Sequence, residues 1–219
     1  MRPPLSKPVI ASFILSGVGA LILIVMLVSE SDKIAGKATH ANTLDSAANI
    51  GRGDITSKIG GAFTLLNTNA QAISDHHYRG QYLLIYFGFT YCPDVCPTAL
   101  ARLSDALEQL EPTESASIQP LFISVDPERD TPAALRDYVR HFHPRLEGLT
   151  GSTAQIENVK RQYRIYAAKV ADDTTTDGYT IDHSSIIYFM DKQNRFLTHF
   201  TDTQTSTDIA TALKKLITK

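Results

Sequence analysis

Residues Tyr82 to Phe89 (YLLIYFGF) form an uncharged run of aliphatic and aromatic side chains interrupted only by Gly88. A run of this kind suits a strand buried on both faces, as in the middle of a sheet covered by helices. It leads through Thr90-Tyr-Cys-Pro-Asp-Val-Cys-Pro97 into a segment where Leu100, Leu103, Leu107 and Leu110 recur at helical spacing. The chain is therefore expected to pass from a central strand straight into a helix. Its only two cysteines, Cys92 and Cys96, stand at that junction.

The junction has chemical consequences. Pro97 lacks a backbone N–H and suits a first helical position, which puts Cys96 at or just before the helix N-terminus and Cys92 about a turn earlier. Unpaired N–H groups and the positive end of the helix dipole favour thiolate over thiol there. Two thiolates four residues apart point the same way if the segment makes one turn. The pair reads as a soft-metal clamp or a redox dithiol. A stabilising disulfide or two inert buried thiols are the bland alternatives, although stabilising bridges usually close longer loops. Two cysteines in 219 residues are too few for a disulfide-stapled scaffold. A formal net charge of -2 gives no footing for a polyanionic partner, so nucleic acid is set aside.

The first residues are a different material. Pro8 to Val28 carries no charge, and a helix of that length spans roughly 30 Å, the thickness of a bilayer's hydrocarbon core. The expected organisation is a cytoplasmic N-terminus over 1–7, a transmembrane anchor over 8–28, a flexible linker over 29–61 and a globular domain over 62–219. Arg2 and Lys7 before the span, with Glu30 and Asp32 after it, place the globular domain outside. A cleaved signal peptide is the competing reading, but Ala38-Thr-His-Ala41 is a poor cleavage site. The linker is rich in Ala, Ser, Thr, Asn and Gly. No Arg- and Ser-rich amphipathic leader precedes the span, which favours a bacterial inner membrane facing the periplasm over a mitochondrial inner membrane.

In the globular part, Phe63–Leu66 reads as a short strand and His76-His77 as exposed loop histidines. Gln119–Val125 is a second apolar strand, so strand, helix and strand make a right-handed parallel βαβ unit. Loops at the carboxyl ends of such strands converge, which brings Asp126 to the same edge as the cysteines. Thr131 and Pro132 read as N-cap and first residue of a helix carrying Leu135, Tyr138, Val139 and Phe142. His141 and His143 read as surface residues. Thr153 is expected to cap a helix with Ile156, Val159, Tyr163 and Tyr166 on its inner face, followed by a polar loop over 171–179. Ile186–Met190 and Arg195–Phe200 flank Asp191-Lys-Gln-Asn194 as an antiparallel hairpin. Thr207 is expected to cap the last helix, with Ile209, Leu213, Leu216 and Ile217 facing inward. The order β, βαβ, α, α, ββα is that of an α/β domain with the thioredoxin-like fold, in its peroxiredoxin-like variant.

Just before the hairpin stands Thr180-Ile-Asp-His-Ser-Ser185. In thioredoxin-like domains this segment faces the cysteine motif, and redox members carry a cis-proline there. Here no proline follows Pro144, and His183 occupies the place.

With those residues in view the sequence resembles the Sco/SenC family, membrane-anchored copper-binding proteins of cytochrome c oxidase assembly. The resemblance runs from about Gly60 to Phe200. It rests on Phe87-Gly-Phe-Thr-Tyr-Cys-Pro-Asp-Val-Cys-Pro97, Ser124-Val-Asp-Pro-Glu-Arg-Asp-Thr-Pro132, Leu149-Thr-Gly151 and Asp182-His-Ser184. It implies copper, as Cu(I), Cu(II) or both, held by Cys92, Cys96 and His183, with delivery to the CuA centre of cytochrome c oxidase subunit II. Asp126 and Asp182 are the carboxylates expected to support these ligands or to dock a partner. Asp191-Lys-Gln-Asn194 departs from the glycine-containing turn common in the family, which touches the hairpin and not the ligands.

The donor set agrees with that implication: two thiolates and an imidazole suit Cu(I), and the nitrogen also admits Cu(II). A copper-donor protein and a thioredoxin-like reductant are implied, since the thiols must be reduced to bind metal in an oxidising compartment. The competing function is a thiol-disulfide oxidoreductase acting on the cysteines of subunit II, which would make Cys92 and Cys96 redox-active. A peroxidase of the peroxiredoxin kind is disfavoured. It wants Thr or Ser three residues before its cysteine and Pro four before that, and the chain offers Phe89 and Ile85, or Pro93 and Phe89.

Overall fold

The computed structural model describes residues 59–218. The expected membrane helix at 8–28 and nearly all of the linker lie outside the described residues. Among those described, no helix is long and apolar enough to cross a membrane.

The apolar run is the central strand, β3 (Tyr82–Gly88), every residue of it after Tyr82 buried. It pairs in parallel with β4 (Ile118–Ser124), in register from Tyr82 opposite Ile118 to Gly88 opposite Ser124. On its other side it pairs antiparallel with β8 (Ile187–Met190), which turns back into β9 (Phe196–Phe200). Asn194 takes φ 61° in that turn. β5 (Glu147–Thr150) extends the sheet in parallel beyond β4, and the hairpin β1 (Thr64–Asn67) and β2 (Ala72–Ser74) closes the far edge. The order is β2-β1-β5-β4-β3-β8-β9.

Alternation along β3 sends side chains to two different helical layers. Tyr86 and Gly88 face α1 (Val95–Glu108), with Tyr86 also stacked near Phe122 at 6.4 Å between ring centroids. Phe87 points the other way, its ring 5.3 Å from that of Tyr163 on α4 (Thr153–Tyr163). Leu100, Leu103, Leu107 and Leu110 are all buried, as their spacing predicts. The last helix, α5 (Ser206–Ile217), packs on α1 through a face holding Ile209 and Leu213. Two further helices are α2 (Pro112–Ala116) and α3 (Pro132–Val139), the latter capped by Thr131, whose Oγ1 accepts from the Ala134 N–H.

Several sequence expectations need correction. α1 begins at Val95, so Cys96 is its second residue and lies inside the first turn. α4 is capped by Ser152 and α5 by Thr205, not by Thr153 and Thr207. In both cases a residue three positions on, Gln155 or Asp208, accepts a hydrogen bond from the cap's backbone N–H, and this reciprocal box outweighs a lone threonine. Arg164 adopts φ 55° and ends α4 at Tyr163, which leaves Tyr166 exposed and off the inner face. His143 is buried, not a surface residue. Its Nδ1 accepts the Arg145 N–H at 3.1 Å, and burial, then Arg145, depresses its pKa.

The polar loop expected over 171–179 is present, at 172–178, but it joins two strands that the sequence does not announce. β6 (Ala167–Ala171) and β7 (Tyr179–His183) form a separate two-stranded antiparallel ribbon in which Ala167 opposes His183. Most of β6 is exposed and only Ile181 of β7 is buried, so the ribbon has no apolar alternation to betray it.

Candidate metal centre

The cysteine pair is set by the step from β3 to α1. Cys92 donates its N–H to the Phe89 carbonyl at 3.3 Å, and the Cys96 N–H points back at Cys92 Sγ at 3.4 Å. One turn separates the two, and both thiols are free and buried. Gly88 makes room for the second: a Cβ there would stand 2.6 Å from Cys96 Sγ. A glycine is required at this point by close approach.

His183 arrives from the end of β7. Its Nε2 lies 3.3 Å from Cys96 Sγ, and the ligand atoms of Cys92, Cys96 and His183 all fall within 4.8 Å of one another. Among the described residues no other trio of such side chains converges. The Nδ1 sits 3.1 Å from the Ser184 carbonyl, which can only accept, so Nδ1 carries a proton and Nε2 is the nitrogen that faces the sulfurs. Phe89 and Tyr86 meet the imidazole edge-on, at 5.6 and 6.3 Å between centroids. Tyr86 Oη, 3.8 Å from Cys96 Sγ, also contacts Ser185 Oγ at 3.3 Å.

The two thiols are not equivalent. The hydrogen bond from the Cys96 thiol, helped by His183 and by the N–H groups of Asp94 and Cys96 and opposed by burial, lowers the Cys92 pKa to about 4. Cys96 is pushed up, by that same pairing with Cys92 and by burial.

Around the centre, carboxylates fix the loops. Asp130 is fully buried, accepts from Thr90 N and Oγ1 and from Ser124 Oγ, and so pins the residues before Cys92 to the end of β4. Burial raises its pKa while these bonds work against the rise. Asp126 does reach this edge of the sheet, but it touches neither sulfur nor imidazole. It is buried against Arg129, with Nε to Oδ2 at 2.5 Å, and accepts from Tyr179 Oη at 3.1 Å. Asp182, next to His183, is exposed. His76 and His77 lie on a short 3₁₀ turn, Asp75–Tyr78, and take no part. The sequence reading singled out none of Gly88, Tyr86, Arg129 or Asp130. The last two lie inside the quoted 124–132 stretch, where a buried charge looks like any loop charge.

Two sulfurs and one nitrogen, without a fourth protein ligand among the described residues, suit a soft ion held in an open site. A closed structural zinc site would call for four.

A sequence model of the SCO1/SenC family matches residues 52–218. The chain belongs to the SCO1/SenC family. Similar family members include an SCO2-like protein of Rickettsia conorii, 39% identical over 194 residues that cover 89% of this chain and 88% of the relative. The mitochondrial SCO2 homologue of Bos taurus is 38% identical over 190 residues, covering 86% of this chain and 68% of the relative. Bradyrhizobium japonicum ScoI, solved with copper bound, superposes with a TM-score of 0.65 at 45% identity, covering 72% of this chain and 98% of that one. The fold is thus the mixed α/β, thioredoxin-like one of this family, and relatives occur in bacteria and in mitochondria.

Proposed function

We propose that this chain is a membrane-anchored copper metallochaperone that binds copper through Cys92, Cys96 and His183 and delivers it to the CuA centre of cytochrome c oxidase subunit II. The observation that carries the reading is the convergence of two thiols and an imidazole nitrogen within 4.8 Å on one edge of the sheet. Copper is cargo here. Cys92, whose thiol is held low, and Cys96, whose thiol is held high, both bind as thiolates, and His183 Nε2 completes a three-coordinate set. A partner's ligand entering the open side as one of these three leaves would pass the ion on without freeing it.

In this reading the segment 8–28 anchors the protein in a bacterial inner membrane, and the linker 29–61 lets the domain 62–219 reach partners in the periplasm. A carbonate wash that fails to strip the full-length protein from membranes is the expected outcome. A copper-donor protein loads the site and a thioredoxin-like reductant keeps it open to metal. Asp182, exposed beside His183, is available to a docking partner.

A second reading, thiol-disulfide exchange on the cysteines of subunit II, is favoured by the split between a depressed Cys92 and a raised Cys96. That is the arrangement of an attacking thiolate beside a resolving thiol. Two mixtures separate them: copper-loaded protein with metal-free, reduced subunit II, and copper-free reduced protein with oxidised subunit II. Chaperone action predicts that the copper-loaded wild type builds the CuA absorption and that His183→Ala does not. If copper-free protein instead reduces oxidised subunit II, and His183→Ala supports oxidase assembly as well as wild type, the redox reading replaces it.

A further inference from the structure

The ribbon that ends in His183 shares no backbone ladder with the seven-stranded sheet. Side chains help to hold it in place, and one of them reaches the loop after β4, the start of β7 and the residues just before Cys92. Arg129 donates Nε to Asp126 and Nη1 to the Tyr179 carbonyl, the latter at 3.1 Å. Its guanidinium carbon lies 3.8 Å from the centroid of the Tyr179 ring and 4.6 Å from that of Tyr91. Phe89, whose ring meets His183 edge-on, is 5.8 Å away. Tyr91 immediately precedes Cys92, and Tyr179 opens the strand that His183 closes. The Arg129 side chain is only 8% exposed, so its stacking and its pairing with Asp126 are shielded from water.

We propose that Arg129 is a positioning residue that sets the span between the histidine and the two cysteines, acting through Tyr91 on one side and Tyr179 on the other. This rests on the reading that Cys92, Cys96 and His183 hold copper. The geometry asks for a planar cation that stacks on aromatic faces while its edge hydrogen-bonds, and lysine offers neither plane nor fork. Nη2 has no hydrogen-bond partner although it is buried, so part of the guanidinium is held against aromatic rings and not by polar contacts. The other ties are different in kind. Lys169 to Glu128, at 2.6 Å, is exposed, and Lys160 to the Ala167 carbonyl grips β6 alone.

The test is a double-variant cycle on the full-length protein, with Cu(I) affinity measured by ligand competition for wild type, Arg129→Lys, His183→Ala and the pair. Arg129→Lys keeps a cation beside Asp126, and its affinity is expected to fall about tenfold. Combined with His183→Ala it should add nothing further, because Arg129 acts through the histidine. In the Cu(II) form, Arg129→Lys should weaken the nitrogen hyperfine signal while the cysteine-to-copper absorption persists. Affinity within about twofold of wild type, or a full further loss in the double variant, overturns the proposal. Should Arg129→Lys not fold, Tyr179→Leu decides, being expected to behave as described for Arg129→Lys. If His183→Ala alone leaves affinity and the nitrogen signal intact, the ligand reading itself fails, a result distinct from a silent Arg129.

Discussion

The two halves of the metal centre are held by different physics. The sulfurs sit where a strand buried at every residue after its first leads into α1, with Cys96 fully buried and Cys92 8% exposed. Apolar packing and seven parallel register pairs between β3 and β4 fix that junction. The nitrogen sits on a ribbon whose outer strand is largely in water and whose attachment runs through the buried Ile181, Arg129, Asp126 and two lysines. Folding of the core thus places the two sulfurs outright, whereas the imidazole is placed by a few polar, aromatic and apolar contacts. The proposed carrier role gains from that division, since the nitrogen could withdraw without disturbing the core.

The comparison breaks most severely through the core. Phe87→Ala removes a fully buried ring packed on Tyr163 and Tyr188 and is expected to cost about 3–5 kcal/mol, loosening the centre along with the fold. Urea denaturation measures the loss. Gly88→Ala is sharper, because the added methyl would meet Cys96 Sγ at 2.6 Å and the Phe122 ring at 2.9 Å. It should cost about 1–3 kcal/mol and weaken copper binding with His183 untouched.

Acid should act on the sheet half as well. Burial and Arg145 hold the folded His143 below its ordinary pKa, so near and below about pH 6.5 the unfolded chain binds a proton that the folded chain resists. That stability is present above the unfolded value and is lost as pH falls through the folded one. Denaturation midpoints are expected to drop in this window for wild type and to flatten for His143→Gln. At the small end, Val170→Ala on the exposed face of the ribbon should change stability by no more than about 0.5 kcal/mol. A larger effect would mean that the ribbon belongs to the cooperative core.

The same division explains what the residues reveal before folding. β3, β4, α1 and the closing hairpin announce themselves because burial forces continuous or periodic apolar patterns, and the two cysteines inherit their positions from them. β6 and β7 carry Lys169, Thr180 and Asp182 among few buried side chains, so their pairing leaves no period to read. The caps at Ser152 and Thr205 depend on a partner three residues on, and a neighbouring threonine imitates either one. Asp126 was legible by topology as a residue of the right edge, but its burial beneath Arg129 was not. Charged side chains in a loop look solvated until an aromatic pair closes over them, as Tyr91 and Tyr179 do here.

The central claim is that an imidazole borne on a loosely attached ribbon joins two core-held sulfurs around one ion. X-ray absorption of the reduced, Cu(I)-loaded protein tests it most directly. Two sulfur scatterers and one nitrogen per copper, with the nitrogen lost in His183→Ala and both sulfurs retained, is the predicted result. A copper bound by sulfur alone in the wild type, with a spectrum unchanged by His183→Ala, would contradict it.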